Sequence, residues 1–133
     1  MKLIVCMDDR CGVLFNNRRV SSDREVVKHI LEVIGREKLY CSQYSSELFP
    51  EDRVCVVDSP ADLQSNAHCF WEGQDLTAIA DQVRELVVYK WNRRYPYDCA
   101  FPVELFANKL ACIAKEEFAG SSHDRITCEV YRK

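Results

Sequence analysis

The sequence predicts an α/β domain, a mostly parallel sheet finished by an antiparallel C-terminal hairpin. Three observations carry this. Lys2–Met7 (KLIVCM) is a continuous apolar run cut off by Asp8 and Asp9, the pattern of a strand buried on both faces. Short apolar runs then alternate with helix-forming stretches along most of the chain, which builds a parallel sheet with helices on both faces. The last two runs, 109–118 and 125–132, are joined by a turn too short for a parallel crossover.

Each element has its own signal. After the opening strand, DRCG marks a turn and GVLFNN a short extended piece ending in the turn residues Asn16 and Asn17. In DREVVKHILEVIG, residues Val26, Val27, Ile30, Leu31, Val33 and Ile34 recur at helical spacing. Ser22 and Glu25 fit a capping box at its start, and Gly35 fits its C-terminal cap. KLYCS reads as a short strand, YSSELF as one helical turn, Pro50 to Arg53 as a loop and VCVVD as a buried strand. SPADLQ starts a helical turn, with Ser59 as cap and Pro60 in the first helical position. AHCFWEG is the next strand. Asp75 to Val83 then puts Leu76, Ile79, Ala80 and Val83 on one helix face. ELVVYKW is a strand, and Asn92 to Asp98 is a loop whose Pro96 excludes a helix interior. KLACIAKEEF is a long strand, AGSS a turn, and RITCEVYR the closing antiparallel strand.

The chain has 133 residues, 47% of them apolar and 29% charged, which suits one globular domain spanning 1–133. A net charge of −3 gives no electrostatic basis for general nucleic-acid binding. Basic clusters do occur at Arg18-Arg19, at Lys90 with Arg93-Arg94, and at Arg132-Lys133. They read as solvated charge, or as a seat for a small anion where two of them converge. The start has no signal-peptide pattern and no run of about 18 apolar residues occurs, so a cytoplasmic chain with no membrane partner is expected. Eight cysteines lie mostly inside apolar runs, without a C-x-x-C pair, and read as free thiols filling the core. Cys11 and Cys99, in polar surroundings, are the thiols expected at the surface. Nothing in the sequence sets the oligomeric state.

Few residues stand out for chemistry. Asp23 is either an acid in a cleft, able to hold a protonated heterocycle or relay a proton, or an acidic first-turn residue favoured by the helix dipole. His29 reads as a partly buried core histidine. His68 and Cys69 point to opposite faces of a strand and cannot easily share a metal. Ser121-Ser122-His123-Asp124 is the densest polar cluster and reads as a turn; a hydrolase triad there lacks the G-x-S-x-G elbow. No metal site is expected. Tyr89, Trp91, Tyr95 and Tyr97, interleaved with Lys90, Arg93 and Arg94, can stack a flat ring and hold a phosphate. They lie after a strand's carboxyl end, where α/β ligands bind, so Tyr89, Trp91, Arg93 and Arg94 form the preferred ligand-contact segment.

In this order several segments resemble dihydrofolate reductase. KLIVCMDD resembles that family's opening strand and VSSDREVVKHI its first helix, with Asp23 where the family's substrate-binding acid falls. AHCFWEGQDL resembles the strand and helix start that carry a glycine pair, Phe101-Pro102 an aromatic-proline pair, and KEEFAGSSHDRITCEVYRK the last hairpin. The resemblance implies a catalytic or binding role for Asp23 and a cofactor-contacting backbone at Gly73. The chain also departs from the pattern. LFNNRRV lacks the Pro-Trp of the first loop. Ser42-Gln43-Tyr44-Ser45 replaces the phosphate-binding G-R-x-T. The glycine pair is reduced to Gly73 beside Glu72, and an acid there repels phosphate. The cofactor is therefore left unassigned, with NADPH allowed by the resemblance and disfavoured by these departures. The expectation is a degenerate site that binds a small flat or phosphorylated ligand without reductase activity. The alternatives are an NADPH-dependent reductase with altered loops and a protein-interaction module. The whole chain also resembles short uncharacterised bacterial proteins sometimes labelled ribonuclease Z. Its three histidines, His29, His68 and His123, form no H-x-H-x-D-H motif, so that activity is not expected.

Overall fold

The computed structural model describes residues 1–133. Its elements run β1 (Lys2–Met7), β2 (Gly12–Phe15), β3 (Arg18–Arg19), α1 (Arg24–Ile34), β4 (Leu39–Cys41), α2 (Gln43–Ser46), β5 (Val54–Val56), β6 (His68–Phe70), β7 (Glu85–Lys90), β8 (Cys99–Ala100), β9 (Ala111–Phe118) and β10 (Ile126–Arg132). Seven strands form one sheet in the order β5-β4-β6-β1-β7-β10-β9. β1 lies at its centre, parallel to β6 and β7. β10 enters antiparallel between β7 and β9, which makes the expected hairpin. A small antiparallel sheet, β3-β2-β8, stands apart. Its hairpin turns at Asn16 and Asn17, both with positive φ, as an Asn pair tolerates.

The period of a strand explains the two cores. Leu3, Val5 and Met7 of β1 face one side with Leu86, Val88 and Trp71. Ile4 faces the other with Val87, Tyr89 and α1. A strand buried on both faces has little place for polar residues, hence the unbroken apolar run Leu3–Met7 after Lys2. α1 covers the second core with Val26, Ile30 and Ile34, one residue per turn.

Several expectations need correction. α1 is capped by Asp23, whose carboxylate accepts the Glu25 N–H at 2.8 Å, so Ser22 makes no capping box; Gly35 ends the helix at φ 63° as expected. The helical turn read at YSSELF lies slightly earlier, at Gln43–Ser46, capped by Ser42. Residues 75–83 form no α-helix. Ile79, Gln82 and Val83 donate to Leu76, Ile79 and Ala80, three residues back, so the segment is a chain of tight turns. Over nine residues a three-residue period gathers Leu76, Ile79, Ala80 and Val83 on one side as well as a helix does, and all four reach the core. The first core is thus roofed by turns and by the small sheet rather than by helices. β5 is an edge strand with Val56 half-exposed, not a buried one. β8 lies directly after the stretch read as loop, with no strand signal of its own.

All eight cysteines are free. Cys41, Cys69 and Cys128 are buried, and Cys6, Cys11, Cys55 and Cys99 are half-buried. The exposed thiol is Cys112, not Cys11 or Cys99, because β9 is the outermost strand and its side chains face solvent on both sides. No helix is long and apolar enough to cross a membrane.

Candidate functional site

The α1 N-terminus and the loop before β10 meet at Asp23. Its side chain is closed to solvent, yet it accepts the N–H groups of Glu25, Ser121 and Ser122 at 2.8–2.9 Å. The Ser121 and Ser122 hydroxyls add to this at 3.1 and 3.2 Å, and His123 Nδ1 lies 2.9 Å from Oδ2. Burial alone would raise the pKa of this carboxyl, but the Ser121 N–H, His123 and the other donors outweigh it and hold it well below the usual carboxylate range. Asp23 is therefore an anion at neutral pH. Gly120 lets the loop come this close, since a Cβ there would fall 2.4 Å from Asp23 Oδ2.

His123 carries the contact onward. Its ring is buried and stacked on Trp91, with centroids 4.6 Å apart. The contact of Nδ1 with Asp23 turns Nε2 to the opposite side of the ring. Two hydroxyls meet it, Ser21 Oγ at 2.9 Å and Tyr95 Oη at 3.0 Å. The order Asp23–His123–Ser21 draws on two segments about a hundred residues apart. No local motif could have revealed it; the polar loop 121–124 was the only trace in the sequence.

A second cluster lies at Glu72. Arg19 forks onto it, Nε to Oε2 at 2.9 Å and a terminal nitrogen to Oε1 at 3.0 Å, while its guanidinium lies over the Tyr44 ring. The Ser45 hydroxyl donates to Oε1 at 2.7 Å. Gly73, φ 102°, packs against Leu14, and a Cβ would come within 2.5 Å of that side chain.

The remaining expected contacts separate. Trp91 and Asp23 both line a narrow slot of about 20 Å³, together with Cys6, Ser21, Phe49 and Phe70. Tyr89 is buried, its hydroxyl 2.6 Å from His29 Nδ1, and Arg93 and Arg94 stand exposed on the loop surface. An open groove of about 420 Å³ lies on the Tyr95 side, lined by Phe15, Asn16, Arg18, Arg19, Val20, Tyr95 and Pro96. A more apolar cavity of about 310 Å³ opens under Phe101 and Phe106. Its one buried acid, Glu129, is already held by Lys90 and Tyr131, and ten of its thirteen lining residues are hydrophobic.

The strand order identifies the scaffold. A solved structure of dihydrofolate reductase from Enterococcus faecalis, complexed with NADP(H) and RAB-propyl, matches 99% of this chain and 95% of its own, with a TM-score of 0.68 and 11% identity. This chain has a dihydrofolate reductase-like fold. At 11% identity the likeness is one of fold. No protein-family profile and no curated protein sequence matches it. On this dihydrofolate reductase-like scaffold, Asp23 caps the first helix between a narrow slot and an open polar depression of about 470 Å³. A third polar group also emerges, unforeseen in the sequence. A ring nitrogen of His29, a carboxylate oxygen of Glu116 and Cys128 Sγ lie within 4.8 Å of one another, near enough to converge on a cation. In this arrangement His29 bonds Glu116 and Tyr89 through its two nitrogens, and burial pushes the Cys128 thiol up to about 11. Both ring nitrogens of His29 are thus already committed to hydrogen bonds within the protein.

Proposed function

We propose that the protein binds a small flat, anionic or phosphorylated ligand and does not reduce it with a nicotinamide cofactor. The Glu72 carboxylate carries this reading. The two segments that the resemblance assigns to cofactor phosphates, Ser42–Ser45 and Glu72-Gly73, bond to each other through Ser45 and Glu72. Arg19 and Ser45, the donors a phosphate would need, hold that carboxylate instead. A cofactor pyrophosphate there would meet a half-buried anion at close range, so these residues do not fit it. The groove beside Tyr95 suits an anion better. Arg18 forms no ion pair, Phe15 is 43% exposed, and Tyr95 supplies a second ring. Here the Arg18-Arg19 cluster and the loop after β7 converge, and a groove lined by a guanidinium and two aromatic rings suits a flat anionic molecule.

Thermal melting tests the reading. Flavin mononucleotide, a flat phosphorylated probe, raises Tm and loses that effect in Arg18→Ser, whereas NADPH leaves Tm unchanged. A ligand at 100 times its Kd adds about 2.7 kcal/mol, a shift of several degrees. NADPH oxidation with dihydrofolate that disappears in Asp23→Asn would restore the reductase reading.

A further inference from the structure

We propose that Ser21 is a nucleophile, activated by His123 and Asp23, and that the protein hydrolyses small esters with a short acyl group. The geometry is that of a working triad. Ser21 Oγ is 2.9 Å from His123 Nε2, and His123 Nδ1 is 2.9 Å from the Asp23 carboxylate. Six donors keep Asp23 charged, so it orients the ring and stabilises the imidazolium without taking the proton. The ring is further fixed by stacking on Trp91. A mere structural histidine would also be buried and bonded. What distinguishes this one is where its second nitrogen stands. Ser21, half-exposed, lines the 20 Å³ slot, and Tyr95 lines the 420 Å³ groove; their hydroxyls meet on the same Nε2. His123 is buried and lines neither space, but its two hydroxyl partners reach them, Ser21 a small, mainly apolar recess and Tyr95 a wide, basic, aromatic one. An ester carbonyl attacked by Ser21 is then placed with its acyl side in the slot and its leaving group toward the groove. A slot of about 20 Å³ takes a methyl group, since roughly 10–15 Å³ of such space holds one water. The acyl group is therefore acetyl-sized. The Ser21 and Ser22 amides donate to no backbone carbonyl, which leaves them for the oxyanion.

The step balances. Ser21 Oγ bonds to the acyl carbon as its proton passes to His123 Nε2. The ester C–O bond then breaks and the leaving alcohol takes that proton. Water next adds to the acyl-serine, giving its proton to Nε2. The acyl–Oγ bond breaks, carboxylic acid departs and Ser21 is reprotonated. The leaving-group preference rests on the ligand reading above; the nucleophile does not.

The test uses the full chain with Cys112→Ser, which removes the exposed thiol as a competing nucleophile. Methanesulfonyl fluoride, whose methyl group fits the slot, is expected to give one sulfonyl adduct with loss of fluoride, mapped by mass spectrometry to Ser21 and absent in Ser21→Ala. p-Nitrophenyl acetate hydrolysis is expected to fall about 100-fold or more in Ser21→Ala, at unchanged Tm. The butyrate ester is expected to be a markedly poorer substrate than the acetate. No adduct on Ser21 in the folded protein, or hydrolysis undiminished in Ser21→Ala, overturns the proposal. Arg18→Ser separates the two readings: if it leaves both the adduct and the KM for acetylsalicylate unchanged, the triad stands and the anion-binding groove falls.

Discussion

Asp23 joins two parts of the chain that are a hundred residues apart, which gives a single carboxylate an outsized effect on stability. Its pKa is depressed in the folded state, so its contribution is complete above the unfolded carboxylate pKa of about 4 and is lost as pH falls below that value. Replacing it with Asn turns one acceptor oxygen into a donor facing Ser121, Ser122 or His123. We expect Asp23→Asn to cost roughly 3 kcal/mol at pH 7 in urea unfolding, a difference that shrinks toward pH 3. Equal losses at both pH values would mean that charge plays no part. That Asp23 sits at a helix start was legible in the residues around it. Its partners were not. Ser21 is two residues away, but Ser121, Ser122 and His123 come from beyond β9, and only the closed hairpin sets them in place. Local spacing also suggested the wrong cap, because Ser22 and Asp23 are both good caps and it is the Asp23 carboxylate that accepts the Glu25 N–H.

Strands were the more legible elements, and for a physical reason. β1 and β7 bury both faces and so appear as apolar runs whatever their partners, while β10 shows as a partly alternating one; all three lie within a residue or two of the expected positions. The turn-built roof over 75–83 was not legible, since nine residues do not separate a period of 3.0 from 3.6. Nor did the VCVV run reveal that β5 lies at an edge, because sheet order is a long-range property. The hairpin matters most among the elements. β10 pairs with β7 along six residues and brings Ile126 and Cys128 into the second core. Truncation before Lys109 removes that strand, exposes the edge of β7 and takes away every Asp23 donor but the Glu25 amide. It is expected to abolish cooperative thermal unfolding by circular dichroism; a truncated chain that melts like the whole one would show that β10 is an appendage.

At the scale of the molecule, the eight thiols divide by depth. Burial pushes Cys41 up to about 11 and Cys69 up to about 12, far from the thiolate that reacts. Ellman's reagent is expected to titrate Cys112 first in the native protein and all eight thiols in guanidinium without reductant; two or fewer in guanidinium would indicate disulfides. Cys112 owes its exposure to the last strand of the sheet, and that strand has a further consequence. β9 is wetted on both faces, and its outer backbone N–H and C=O groups form an open seam to which another chain could be stitched. Ala111–Ala114 along this seam carry no charge and include the half-exposed Ile113; Lys115, Glu116 and Glu117 follow at once. Two copies stacked in register would set Lys against Lys and Glu against Glu. That repulsion disfavours parallel pairing along the seam at low salt, and at about 1 M salt, where like charges are felt over only about 3 Å, it is screened away.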